Sequence, residues 1–240
     1  MLRAILALIE AVAFLIVTLP VLLILMIIQH FNRKAAERVS RSMVSFALNL
    51  IGLTVSAHVH IKGMENIPEQ EPVLFIGNHL SIFDIILVYP RLKRPVGYVA
   101  KKELKHIPVF GAWMRLVECT FLDRSDLKQA LLVINESIGK IKSGISIFIF
   151  PEGTRSKTGE VAEFKAGSFK IATRTGCPIV PVAIKHTNEI IRTHMPFIKT
   201  TDVYVEFGKP VEISSLDREG RKKLHESVRE TIISMQEKMP

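Results

Sequence analysis

The chain has 240 residues, 48% of them hydrophobic, with a mean hydropathy of +0.27 and a formal net charge of +9. That length suits one α/β domain of ordinary size plus an appendage, with a sizeable core. One Trp, three Tyr, no zinc-ligand spacing and no recognisable RNA or DNA module exclude nucleic acid as the expected partner. The basic surface then points to anionic lipid or an acidic protein. Cys119 and Cys177 form no CxxC and read as reduced core residues on a cytosolic side.

The hydrophobic excess sits at the N-terminus. Ala11 to Ile28 carries no charged side chain. As a helix it would be roughly 27 Å long, close to the hydrocarbon thickness of a bilayer. Extension back to Ala4 adds only Glu10, and Pro20 predicts a kink. The cluster Arg33, Lys34, Arg38 and Arg41 follows, and the positive-inside rule assigns that flank to the cytoplasm. A second uncharged stretch runs from Met43 to Val59, where Val39, Met43, Phe46, Leu50 and Leu53 make a helical stripe. Residues 1–59 are therefore expected to form two membrane-associated helices. A spanning unit, a re-entrant hairpin and a pair within one leaflet all fit. A cleaved signal peptide fits poorly, because the apolar run is long and no small-residue cleavage site follows. A buried globular helix pair is the remaining bland alternative.

From His60 the pattern changes to alternating strands and helices. Predicted strands are Val73–Ile76, Val96–Ala100, Thr120–Leu122, Ile145–Phe150, Ile179–Ile184 and Val203–Phe207. One helix is predicted to start after Ser125 as N-cap, with Asp126 favourable to its dipole. Its apolar face is Leu127, Leu131, Ile134, Ile138 and Ile141. A last helix, roughly Ser215 to Lys238, carries Leu224, Val228, Ile232 and Met235 on one side. Gly144 and Gly176 mark helix ends. The expected class is α/β: a mostly parallel sheet flanked by helices on both faces over residues 60–240, preceded by the N-terminal membrane motif.

Two polar stretches follow apolar, β-branched runs: Asn78-His79-Leu80-Ser81-Ile82-Phe83-Asp84 and Phe150-Pro151-Glu152-Gly153-Thr154-Arg155. Residues just past the C-terminal ends of parallel strands are where α/β sheets place their sites. His79 and Asp84 lie five positions apart, off a common helical stripe, but they meet if His79 is in the loop and Asp84 in the first helical turn. The bland alternative is a capping box, Ser81-x-x-Asp84, beside an ordinary loop histidine. A histidine with a carboxylate on its far nitrogen is a suitable base near neutral pH. No serine or cysteine nucleophile is marked, so such a dyad would activate water or a substrate hydroxyl. The second stretch offers glycine for close backbone approach and arginine for phosphate. Lys101 and Lys102 after one strand, and Arg124 after another, are further cations at the same expected sheet edge. Each alone reads as a solvated surface charge; together they suit an anion.

These residues resemble the glycerolipid acyltransferases, closest to the 1-acyl-sn-glycerol-3-phosphate acyltransferases. Four blocks occur in order: Asn78-His79-x4-Asp84, Phe121-Leu122-Asp123-Arg124, Phe150 to Arg155, and Ile179-Val180-Pro181-Val182. Ala100-Lys101-Lys102-Glu103-Leu104 and Phe164-Lys165-x-Gly167 are also similar, so the resemblance covers roughly residues 60–210. It implies His79 as general base and Asp84 as its orienting partner. It implies Lys101, Arg124, Glu152, Gly153, Thr154 and Arg155 as substrate-binding residues, with Arg155 and Lys101 on the acceptor's phosphate and Pro181 near the acyl chain. The reaction it implies is acyl transfer from acyl-CoA or acyl-carrier protein to the sn-2 hydroxyl of a lysophosphatidic acid, giving phosphatidic acid. The donor is a co-substrate, and no cofactor or metal is expected. The alternative acceptors are glycerol-3-phosphate or another lysolipid. Anionic membrane lipids are expected partners and no nucleic acid is. The expected location is the cell inner membrane, with the active site on the cytoplasmic side. Competing classes are a metal-dependent hydrolase using His79, Asp84 and Glu152, and a non-enzymatic lipid or acidic-partner binder.

Overall fold

The computed structural model describes residues 2–123, 126–191 and 198–240, with Leu127 described by its backbone alone. In chain order the first elements are helices α1 (Leu2–Val17), α2 (Leu19–Phe31) and α3 (Arg33–Thr54), then β1 (Ala57–Lys62), β2 (Leu74–Gly77), α4 (Phe83–Val88) and β3 (Val96–Lys101). They are followed by α5 (Phe110–Leu116), β4 (Thr120–Leu122), α6 (Leu127–Lys142), β5 (Ser146–Ile149) and α7 (Lys170–Thr175). The last are β6 (Ile179–Lys185), β7 (Thr201–Phe207), α8 (Arg218–Lys222) and α9 (Leu224–Glu237).

The strands form one sheet in the order β1-β7-β6-β2-β5-β3-β4. Only the β6–β7 pair is antiparallel. Strands β6, β2, β5, β3 and β4 thus share one direction, and their C-terminal ends share one edge. Alternation sends Phe75, Tyr98, Phe148, Val180 and Val182 to one face, beneath Ile51 and Val55 near the end of α3 and Phe83 and Leu87 of α4. Leu74, Ile76, Ile147 and Ile179 point to the other face, beneath helices α6, α7 and α9. Burial on both faces is why these strands read as unbroken apolar runs.

Strand β1 was not expected. Its residues alternate between half-buried and exposed, with His58, His60 and Lys62 outward, and it crosses residue 59 as a half-exposed edge strand. The uncharged stretch Met43 to Val59 is helical only as far as Thr54, and its last residues, from Ala57, belong to β1.

The N-terminal region holds three helices rather than the two expected. The break falls at Thr18, two residues before Pro20, and bends α1 against α2 by 55°. Pro20 then sits in the first turn of α2, where a missing N–H costs nothing. Among the described residues no single helix is long and apolar enough to cross a membrane, although the bent pair α1 and α2 meets that measure by length and composition. Helix α3 starts at the basic cluster, capped by the Asn32 side chain, which accepts from Ala35 N at 3.0 Å. Arg33 grips Glu118 with two bonds of 2.8 and 2.6 Å. The inward face of α3 is Ala36, Ser40 and Ile51; of the stripe read from the sequence, Val39, Phe46, Leu50 and Leu53 point outward, with Phe46 71% and Leu53 76% exposed, while Met43 packs beside Trp113 and Leu116. On α2, Leu22 and Leu25 pack on Trp113 and Leu116 of α5.

Helix α6 is capped by Asp126, whose carboxylate accepts from Lys128 N at 2.8 Å and Gln129 N at 3.3 Å. This is one residue after the expected cap Ser125, which lies outside the described residues. The expected last helix is two, α8 and α9, and Leu224, Val228, Ile232 and Met235 of α9 are buried as read.

Because α3 closes one face of the core, Ile51→Ala is expected to cost about 2–5 kcal/mol. Phe46→Ala, on the outward stripe, is expected to be near neutral in detergent. Urea unfolding of both variants in detergent checks this. An unchanged midpoint for Ile51→Ala would contradict the packing of α3 as part of the domain.

Candidate active site

The sheet order sorts the polar segments in space. At the shared C-terminal edge stand, in order, the segments after β6, β2, β5, β3 and β4. These carry His186-Thr187, Asn78 to Asp84, Glu152 to Arg155, Lys101-Lys102 and Asp123. Neighbouring strands lie about 4.8 Å apart, so stretches distant in sequence become adjacent loops.

His79 leaves β2 in an irregular loop, and Asp84 lies in the first turn of α4. The two meet: His79 Nδ1 is 2.6 Å from Asp84 Oδ2. A carboxylate only accepts, so Nδ1 carries the hydrogen and Nε2 presents its lone pair. Nε2 has no hydrogen-bond partner among the described residues. Asp84 is fully buried. Its Oδ2 also accepts from Leu80 N at 2.7 Å and Ser81 N at 2.9 Å, and Oδ1 accepts from the Thr187 hydroxyl. Half of the capping alternative is therefore present within the same arrangement; Ser81 Oγ accepts from Phe83 N at 3.4 Å, and Asp84 N donates to the Ser81 carbonyl. The carboxylate that closes the first turn at Ser81 is the one that holds the imidazole.

The histidine is fixed from three further sides. Its ring stacks on Phe150, with centroids 4.1 Å apart and an interplanar angle of 13°. Its backbone N–H donates to Glu152 Oε1 at 2.6 Å, and its carbonyl accepts from Ser156 N at 2.8 Å. The preceding residue, Asn78, uses its side-chain amide like a strand backbone. Nδ2 donates to Ile184 O at 2.9 Å, and Oδ1 accepts from Ile184 N at 2.8 Å. Glu152 is buried, and its other oxygen accepts from Ala162 N at 3.2 Å. Burial pushes its carboxyl above the ordinary range, against the opposing pull of the two backbone donors.

The cations lie outside this buried knot. Thr154 and Arg155 are exposed, just past Gly153, whose φ of +76° is left-handed. A Cβ at Gly153 would stand 2.9 Å from Lys165 Nζ, so glycine lets that lysine lie over the turn. Arg155 has no ion-pair or hydrogen-bond partner among the described residues. Lys101, exposed at the end of β3, is 3.3 Å from Glu103 Oε1. Lys102 pairs with Asp123. Arg124 lies outside the described residues. Among the described residues no group of three His, Cys, Asp or Glu side chains is placed to hold a metal ion. Both cysteines are free, and burial pushes the Cys119 thiol to about 11.

Three features of the site were not read from the sequence: the Phe150 stack, the Asn78–Ile184 bonds and the Thr187 hydroxyl. As a strand-end and motif residue, Phe150 carries no sequence signal for a ring stacked on His79. Thr187 lies 103 residues from Asp84 in a short turn with no motif of its own.

The Acyltransferase family model matches residues 58–185, from the second residue of β1 to the end of β6. The match includes His79, Asp84, Phe150 and Glu152, and ends two residues before Thr187. The chain is 33% identical over 216 residues to a chloroplastic 1-acyl-sn-glycerol-3-phosphate acyltransferase of Brassica napus, covering 87% of this chain and 62% of that protein. It thus spans less than two thirds of that relative's length. It is 28% identical over 193 residues to a 1-acyl-sn-glycerol-3-phosphate acyltransferase of Borreliella burgdorferi, covering 80% and 76% of the two. The crystal structure of the 1-acyl-sn-glycerophosphate (LPA) acyltransferase of Thermotoga maritima superposes with a TM-score of 0.80 at 26% identity, over 100% of this chain and 97% of that one. With more than half of its length matched by the family model, and its whole fold shared with a solved acyltransferase, this chain belongs to the Acyltransferase family.

Proposed function

We propose that the chain transfers an acyl group from acyl-CoA or acyl-carrier protein to the sn-2 hydroxyl of 1-acyl-glycerol-3-phosphate, giving phosphatidic acid. The observation that carries this reading is the His79–Asp84 pair, with Nδ1 tied to a buried carboxylate and Nε2 unpartnered among the described residues. The names of the relatives support the acceptor.

In this reaction His79 Nε2 takes the hydroxyl proton while the oxygen attacks the thioester carbonyl. The tetrahedral oxyanion collapses, the C–S bond breaks, and the thiolate leaves. An alkyl thiol has a pKa of about 8.5, so it departs without a strong acid, and one base suffices. Asp84 holds the tautomer and offsets the charge of the imidazolium. Arg155 and Lys101 bind the acceptor's phosphate, with Arg155 suited to a two-bond grip. Anchoring the phosphate fixes the hydroxyl near the base and removes translational freedom. Glu152 is occupied on both oxygens by backbone N–H groups, and its part is to hold the loop that carries His79.

The lipid acceptor reaches the site from a membrane. Leu8, Val12, Ile16, Leu23, Ile24 and Ile27 are exposed on α1 and α2, an apolar surface that suits the interior of a bilayer. Leu22 and Leu25 meanwhile hold α2 against α5 of the domain. A bent pair docked along the domain suits entry into one leaflet. The net charge of +9 favours the anionic inner membrane, with the active site on its cytoplasmic side.

His79→Ala is expected to lower turnover about 10²–10⁴-fold with folding intact. Thiol release from an acyl thioester in the presence of lysophosphatidate measures this, and near-normal turnover would refute the assigned base. Arg155→Ala is expected to raise the acceptor KM more than it lowers kcat, and an unchanged KM would remove it from the phosphate site. Glu152 has its carboxyl raised in the folded state, so its favourable contribution is complete below the unfolded carboxyl range and is lost as pH rises through the folded value. Denaturant melts above the usual carboxylate range should therefore show less pH dependence in Glu152→Gln than in the wild type. Parallel curves would mean that burial of this carboxyl does not couple to folding.

A further inference from the structure

Asp84 has no solvent exposure, and a buried carboxylate needs donors on both oxygens. Oδ2 is met by the imidazole and two backbone N–H groups. Oδ1 has one hydrogen-bond donor among the described residues, the hydroxyl of Thr187. Thr187 is itself fully buried. It opens the short turn after β6, immediately past His186, whose φ of +69° is left-handed and turns the chain back toward the catalytic loop. The same segment receives both bonds of the Asn78 side chain at Ile184. Residues 184–187 thus hold the His79 loop at its start and at its end. A threonine is not needed there for packing alone, since valine has the same shape.

We propose that Thr187 is a positioning residue for acyl transfer. Its hydroxyl fixes the rotation of the Asp84 carboxylate so that Oδ2 faces His79 Nδ1, and it spreads the carboxylate charge onto a second donor. The inference rests on His79 being the base. The titratable groups in play around Asp84 are His79 itself, Glu152 and the buried phenol of Tyr98, the last two close enough to feel its charge; burial raises the Tyr98 phenol well above its ordinary range, so it stays neutral across the acid limb. Without the hydroxyl, Oδ1 is bare and the dyad without its proton loses a stabilising donor. The dyad then holds its proton more strongly, so the acid limb of kcat/KM moves to higher pH.

The test is a set of four enzymes in detergent: Thr187→Val, Thr187→Ser, His79→Ala and the double variant His79→Ala/Thr187→Val. Thermal melts establish that each is folded. Hydrogen bonds to charged groups suggest that Thr187→Val lowers kcat roughly 10- to 100-fold. Acceptor KM is expected to stay unchanged, the acid limb to shift upward, and Thr187→Ser to restore both. In the His79→Ala background, Thr187→Val is expected to cost nothing further. Loss of activity with an unmoved acid limb, or an equal further loss in the His79→Ala background, would overturn the proposal, because a merely structural residue behaves that way. If Thr187→Val does not fold, failure of the less drastic Thr187→Ser to keep the wild-type acid limb and kcat would overturn it. An active His79→Ala enzyme would instead sink the assigned base, a separate outcome read from a different variant.

Discussion

A carboxylate without access to water is costly unless every side of it is met by a donor. The site is arranged around that constraint at Asp84. Its donors come from the loop between β2 and α4, at His79, Leu80 and Ser81, and from the turn after β6, at Thr187. Satisfying it therefore requires strands β2 and β6 to lie side by side, with β6 running past the Val182 partner of Gly77 to Lys185, so that the turn at Thr187 comes alongside the loop after β2. Asn78 bridges the same two strand ends, and Glu152 and Phe150 brace His79 from β5 on the other side. The loop that carries His79 is held by bonds from both neighbouring strands and has little freedom to relax.

That rigidity contrasts with the rim. Arg155 and Thr154 are exposed on a turn that depends on a left-handed glycine, and Lys101 stands exposed at the end of β3. A fixed imidazole beside long, exposed cationic side chains suits the proposed acceptor, whose phosphate must be gathered from a lipid surface before its hydroxyl is placed. The N-terminal helices follow the same division. The inward face of α3 belongs to the core, while the outward sides of α1, α2 and α3 are apolar and exposed.

Much of this was legible in the sequence, for identifiable reasons. The interior strands read correctly because burial on both faces leaves a run such as Leu74 to Ile76 without polar interruption. Strand β1 was hidden because an edge strand with His58 and His60 outward gives no such run. The stripe Val39, Met43, Phe46, Leu50 and Leu53 is helical as read, but periodicity identifies an apolar face without saying whether protein covers it, as at Met43, or leaves it exposed, as at Phe46. His79 and Asp84 could be paired because loop-to-helix geometry spans five residues. Thr187 could not be found, since nothing local distinguishes a threonine whose partner lies 103 residues away. The structure also places both oxygens of Glu152 on backbone amides, a use that its position in a turn motif does not reveal.

The central claim is that the dyad activates a hydroxyl brought by a lipid phosphate and not water. The most direct measurement is the stoichiometry of thiol released from a long-chain acyl thioester, presented as both coenzyme A and carrier-protein conjugates, against phosphatidate formed. The account predicts release only when lysophosphatidate is present, with one phosphatidate for each thiol. Release without the acceptor, or thiol in excess of phosphatidate, would contradict it and make the site that of a thioester hydrolase.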